Sequence, residues 1–402
     1  MSIHIDKDMA KRDYSLLIIG IYSHPSHIIR FIRNLKRVNS SVKVSLLTDK
    51  EPSYYPKETH DSLEEFIKWR ITSRLEGLPF LNQMINRVSS FLQIRRFVKK
   101  KTRRYDIVNI HFPQFFLCHW MGYLNSISSS IVISPWGSDV LRLEGKRKRR
   151  QLARVFRKAD FITVGPTGAI GKTLVNEMIV DISKLHPLAW GSETIDYINE
   201  HIQDVSPDEA KKKLGLENRY VITCGYNAFE EQRHKTMINA IRDIRFQLPS
   251  NLILLFPVTY GYSYGTRKKD YVEDLKGLCR ESNLEAVFYE DYLSVEELFY
   301  LRQGTDMFIH IQTTDGGNSS LQEYVLCGKK VVHGSWMHYN LLEQYEPLFY
   351  YPVDDIDQLS EILVKAYHAD SIETPPEVLD YIRNRGWKAK IRLWNDFFAT
   401  IV

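Results

Sequence analysis

The sequence predicts an α/β protein made of two parallel-sheet domains in tandem. Three observations lead there. The chain has 402 residues, more than one ordinary core organises. Short apolar runs alternate with stretches of helical spacing, as βαβ units require. That alternation lapses near residue 190 and restarts at residue 220.

The first strand is the apolar run from Tyr14 to Ile19, closed by Gly20. Ile28, Ile29, Ile32 and Leu35 then recur at helical spacing, and Val42 to Leu47 reads as a second strand. Residues 60–100 read as helix, ending in the basic run Arg95 to Arg104. Strands follow at Ile107 to Ile110 and at Ile131 to Ser134. A second basic run, Lys146 to Arg150, opens a helix, and Asp160 to Val164 is a further buried strand.

The next segment, GPTGAIGKT over residues 165–173, ends like a phosphate-binding loop. The G-x-x-x-x-G-K-[ST] pattern puts its first glycine at 166, where Pro166 stands. Proline removes a backbone donor there, so the segment reads as a strand-to-helix turn.

Pro207 to Leu214 reads as a short helix on a linker. The second half then repeats the pattern. Its strands run from Tyr220 to Cys224, Leu252 to Pro257, Ala286 to Tyr289, Asp306 to Ile311 and Lys330 to Val332. A last helix covers about Pro376 to Phe398. The expected division is a Rossmann-like domain over 1–190, a linker over 191–218 and a second such domain over 219–375. Residues 376–402 are expected to cross back to the first domain. Ligands in such sheets bind outside the carboxyl ends of the strands.

With 44% apolar and 26% charged residues, the chain is an ordinary globular one. Its four cysteines are far apart, which points to neither a zinc site nor a disulfide scaffold. The polar start and the lack of an 18-residue apolar run predict a cytoplasmic protein with no spanning helix. Residues 1–190 hold 32 Lys and Arg against 16 Asp and Glu, a net of +16, while 191–402 net −11. The basic half should meet an anionic partner. Aromatics are not interleaved with the basic runs as single-strand binders require, which disfavours nucleic acid. An anionic membrane surface, on the inner face, is the expected partner, reached through the basic runs and the apolar positions between Leu78 and Phe97.

The chemistry concentrates after the strand ending at Ile311. Asp315, Gly316, Gly317, Asn318 and Ser319 precede a helix bearing Glu323. Glycines allow close backbone approach, and a helix start beside them is an anion site. A diphosphate would rest on those N–H groups, and the two carboxylates would grip hydroxyls.

This segment resembles the E-x(7)-E motif of retaining GT-B glycosyltransferases of the family 4-like group, with Asp315 at the first glutamate. "DISKLHPLAWGSETIDYI" resembles that family's interdomain segment. "CGYNAFEEQRHKTMINAI" resembles its glycine-arginine…lysine segment, and "YDIVNIHFPQF" places His111 at its N-domain histidine. The resemblance spans nearly the whole chain and implies a GT-B fold, two Rossmann-like domains facing across a cleft. It implies sugar transfer from a nucleotide-sugar to a glycan or lipid-linked acceptor, in bacterial-type surface polysaccharide or glycoconjugate synthesis. Retention of configuration and the absence of a metal or other cofactor are implied as well.

Carried onto this sequence, the resemblance makes His111, Asp315 and Glu323 the catalytic group, with Glu323 on the ribose. Lys235 and the Gly316-Gly317 backbone would take the diphosphate, beside Gly225, Tyr226, Asn227, Asn318 and Ser319. Tyr292 would line the base. The acceptor would enter past Ser23, His24, Trp136 and Asp139. Two departures stand out: Tyr226 replaces the family's arginine, and Asp315 is one methylene short. They favour a rival reading, a non-catalytic GT-B subunit that binds a transferase or glycan. A nucleotide-sugar epimerase of similar fold is the other rival.

Overall fold

The computed structural model describes residues 13–69, 79–101, 104–261, 265–315, 319–337, 350–370 and 373–402. The chain forms two compact units, 1–190 with 388–402, and 191–387.

The first unit holds β1 (Ser15–Gly20), β2 (Lys43–Thr48), β3 (Glu65–Lys68), β4 (Tyr105–His111), β5 (Ser128–Ser134) and β6 (Phe161–Ile162). They form one parallel sheet in the order β3-β2-β1-β4-β5-β6. Every residue of β1 is buried, because helices cover both faces of such a sheet and its inner strands are apolar throughout. The second unit repeats the plan with β7 (Tyr220–Cys224), β8 (Leu252–Pro257), β9 (Ala286–Tyr289), β10 (Met307–His310), β11 (Lys330–Gly334) and β12 (Tyr350–Val353). Their order is β12-β11-β10-β7-β8-β9.

One device braces both sheets at the ends where strands enter. Asp106 accepts hydrogen bonds from the Ser15 N–H (2.7 Å) and hydroxyl (2.8 Å). Asp160 accepts from the Ile131 N–H at 2.8 Å, and Asp306 from the Val221 N–H at 2.7 Å. Each carboxylate satisfies a backbone donor that the ladder leaves open.

Several expected elements differ. In place of the expected helix over 60–100 come the end of a short helix Lys57–Asp61, then β3 and the helix Pro79–Lys100, with Leu78 outside the described residues. The expected linker is part of the second unit. Its helix Glu193–His201 buries Ile195 and Ile198 against Phe299 and Tyr324. Its helix Pro207–Lys213 starts in a Ser206–Glu209 capping box, and Lys211 bonds Asp306 at 2.8 Å. The last expected helix is two, Pro376–Arg383 and Trp387–Thr400. In the second, Trp394 is fully buried against Phe31 at 5.1 Å and donates to the Ala189 carbonyl at 3.1 Å.

The turn over 165–173 carries a helix of only four residues, Ala169–Lys172, continued by a π-turn over Thr173–Glu177. A Cβ on Gly171 would lie 2.1 Å from the Gly165 carbonyl oxygen. Its glycine therefore serves close packing of backbone on backbone. Gly171→Ala is expected to cost roughly 1–3 kcal/mol in chemical denaturation, as overpacking against an unyielding backbone does. Lys172→Ala is expected to leave nucleotide affinity within about twofold, because the register of a phosphate loop is missing.

Candidate functional site

In the second unit β10 and β7 are neighbours although they are far apart in sequence, so the chain switches direction across the sheet there. Loops leaving such a switch point part and leave a crevice. Gly225 ends β7 at φ +64°, and a Cβ there would meet His234 Nε2 at 2.7 Å and Gln232 Oε1 at 2.8 Å. Glycine is required on both counts. Tyr226 follows, its hydroxyl donating to Gln312 Oε1 at 3.2 Å, and the Gln232 amide donates to the same oxygen at 2.7 Å. The Thr313 N–H donates to the Glu231 carbonyl at 3.0 Å, and Trp336 Nε1 to the Gln312 carbonyl at 2.7 Å. Loops after β7, β10 and β11 are thus clamped on Gln312. Asn227 is buried and closes its own turn by accepting the Phe229 N–H at 2.9 Å.

Of the expected cations, Lys235 is exposed and paired with Asp274 at 3.2 Å. Arg233, which the sequence reading missed, stands at the start of the helix His234–Asp243. It is left-handed at φ 62°, ψ 38°, and its guanidinium lies 5.1 Å over the Trp336 ring. A non-glycine residue in that region is strained, and such strain gathers at ligand sites. The only sequence signal was its place two residues before Lys235.

Asp315 accepts from His310 Nε2 at 3.2 Å at the end of β10. Gly316, Gly317 and Asn318 lie outside the described residues, and Ser319 is exposed at the head of the helix Ser319–Leu326. Glu323 is buried in that helix. Its carboxylate accepts from Ser192 Oγ at 3.0 Å and from Arg302 Nε at 3.2 Å. Tyr292 follows edge strand β9, two strands from β7, and is 72% exposed, so it is not gathered with the others.

The first unit brings together a second set. His111 ends β4, beside β1 and β5, and is buried with neither ring nitrogen hydrogen-bonded among the described residues. Burial pushes its pKa down to about 3. Its ring meets Trp190 at 5.0 Å and Phe31 at 5.1 Å, and Trp136 lies 5.5 Å from Trp190. Ser23 Oγ and Trp136 Nε1 are likewise buried without a partner. His27, exposed one turn after His24, packs on Trp136 at 4.8 Å. His24 bonds Ser26 Oγ at 2.8 Å. Asp139 is engaged locally, accepting the N–H groups of Trp136 (3.0 Å) and Gly137 (2.8 Å).

Among the described residues, no group of three His, Cys, Asp or Glu is gathered as metal ligands, and no helix is long and apolar enough to cross a membrane. Of the two basic runs, Arg95, Arg96, Lys99 and Lys100 are exposed, while Lys101 is paired with Glu65 and Arg104 bonds the Ser128 carbonyl. Arg103 lies outside the described residues.

Two six-stranded parallel sheets, each doubly wound and joined in tandem, define the GT-B class of fold. No protein-family model matches the sequence, and a search of curated proteins finds no match. Solved structures of the same fold do match. A glycosyltransferase from Rickettsia africae aligns with a TM-score of 0.68 at 12% identity, over 97% of this chain and 99% of that one. Sucrose-phosphate synthase from Thermosynechococcus elongatus aligns at 0.67 and 12% identity, over 96% and 100%. Anabaena HepE, in complex with UDP and glucose, aligns at 0.64 and 13% identity, over 95% and 98%.

Proposed function

We propose that this chain is a glycosyltransferase that moves a sugar from a nucleotide-sugar to a glycan or lipid-linked acceptor. The setting is bacterial-type surface polysaccharide or glycoconjugate synthesis, with retention of configuration and no resident metal. The observation that carries the proposal is the clamp on Gln312, with Gly225 directly after β7 and Arg233 at the head of the helix His234–Asp243. The fold shared with HepE, solved with UDP and glucose, supports a nucleotide-sugar as the ligand of the second unit.

In this reading Arg233 and the head of its helix stabilise the diphosphate as charge develops on departure. Glu323 keeps lone pairs for the ribose hydroxyls, and His310 orients Asp315 toward the sugar. In the first unit, aromatic faces and the unpartnered Ser23, His111 and Trp136 suit a hydroxyl-rich acceptor. Arg233→Ala is expected to weaken UDP or GDP binding about 10- to 100-fold, the loss of one charge-assisted contact. Lys235→Ala should leave it within about twofold. Calorimetric titration decides, and the reverse ranking would return the phosphate role to Lys235.

Tyr226 in place of the family's arginine favours the second reading, a non-catalytic partner subunit. A protein that binds no nucleoside diphosphate and hydrolyses no nucleotide-sugar would sink the transferase proposal and leave that one.

A further inference from the structure

The helix Lys146–Lys158 carries eight Lys and Arg and no acidic residue. Five of them, Lys146 to Arg150, crowd its start, where the helix's own free N–H groups already present positive charge. Local contacts take up only part of this charge, with Lys148 lying 5.6 Å over the Phe115 ring and Arg149 held by Glu177. Docking of the helix uses Leu152, Ala153, Val155 and Phe156, on its other side. Like charges at a positive helix end oppose its formation, so an external anion is the natural counterpart.

The geometry provides a place for it. Arg147, Arg150 and Arg154 recur at helical spacing and line an open groove of about 620 Å³ with Gln151 and His119. Neighbouring Arg149 is paired with Glu177, whereas these three arginines have no carboxylate partner among the described residues. Guanidinium forks fit the oxygens of a phosphate, and several of them converge on one groove here.

The surroundings point to a lipid as the bearer of that phosphate. His119 ends the turn Phe115–His119, which leads directly into the helix Met121–Ile127. Tyr123 of that helix packs at 5.7 Å on Phe91 of the helix Pro79–Lys100. Phe91 and Leu92 are exposed there, followed by exposed Arg95, Arg96, Lys99 and Lys100. Exposed apolar side chains rimmed by cations are what a membrane interface accepts.

We propose that the groove lined by His119, Arg147, Arg150, Gln151 and Arg154 binds the phosphate group of an anionic membrane lipid, with Phe91 and Leu92 entering the interface beside it. The site is independent of the transferase reading, since it uses no residue of the clamp on Gln312.

Vesicle sedimentation of the full chain tests it. Wild type should pellet with phosphatidylcholine vesicles containing phosphatidylglycerol and not with phosphatidylcholine alone. Arg147→Gln/Arg150→Gln/Arg154→Gln should weaken that binding by more than about 100-fold, roughly fivefold per cation from surface charge with the loss of the converging forks added. Arg95→Gln/Arg96→Gln/Lys99→Gln removes the same charge beside Phe91 and Leu92 and leaves the groove intact, so it should cost the surface-charge share alone and weaken binding less than the groove triple. Arg147→Lys/Arg150→Lys/Arg154→Lys keeps charge and loses the forks, and should also bind worse than wild type. Equal losses from the two Gln triples, with the Lys triple unimpaired, would reduce the effect to diffuse charge and overturn the site. So would a wild type that binds inorganic pyrophosphate yet never pellets, since the bearer would then be soluble. Nucleotide affinity measured on the same variants should stay at the wild-type value, which keeps failure here distinct from failure of the transferase reading.

Discussion

Arg302→Met is expected to lower the unfolding free energy by about 3–5 kcal/mol, the cost of stranding a buried charge. Arg302 and Glu323 are each 3% exposed. The Arg302 guanidinium donates to Glu323 at 3.2 Å and to the Tyr324 hydroxyl at 3.0 Å, and lies 4.6 Å over the Tyr324 ring. Removing it leaves the Glu323 carboxylate with Ser192 as its remaining side-chain partner. Neutralising both partners, as Arg302→Met/Glu323→Gln, should recover much of the loss, because the charge that needs compensation is gone. Urea denaturation at unchanged m-value gives both numbers. A loss below 1 kcal/mol in the single variant would mean the pair is more solvated than its burial indicates. The same pair complicates Glu323→Gln as a probe of ribose binding, since it leaves Arg302 unpaired. The double variant separates the roles. If it folds and still binds nucleotide as wild type does, Glu323 does not hold the ribose.

The second large effect is acid sensitivity. Burial pushes down the pKa of His111 and of His234 to about 3. Burial also lowers His333. Each ring is favoured neutral in the fold, while the unfolded ring takes a proton as pH falls through about 6.5. Their contribution is thus fully present above pH 6.5 and is lost progressively toward about pH 3. For His111 alone the loss at pH 5 is about 2 kcal/mol relative to pH 8, from the linkage of proton binding to folding. His111→Phe should flatten the stability profile between pH 5 and 7 by about that amount. A profile as steep as that of wild type would show that His111 gains a partner or water on protonation.

How much of this was legible without the fold depends on what each residue answers to. Strands such as β1 and β8 are covered on both faces, so they are apolar runs that no other element imitates. β3 is an edge strand, half-exposed, and its Glu-Phe-Ile-Lys pattern has no such run. β12 contains Pro352 and two tyrosines, and went unread for a similar reason. The break in the last helix sits at Gly386, where a Cβ would lie 2.0 Å from Asp196 Oδ1. That is a contact nearly two hundred residues away in sequence.

The sequence by itself determined the α/β class, the restart of the pattern and the glycine at the end of β7, because each follows from local burial or backbone freedom. Tertiary structure alone decided which groups meet. Arg233 and Lys235 are two residues apart, so helix phase and a left-handed backbone send one over Trp336 and the other to Asp274. Glu323 is held by Arg302 and Ser192, and His111 is enclosed by Phe31, Trp136 and Trp190. Spacing along a chain does not encode distances between side chains on different strands and helices; packing sets them.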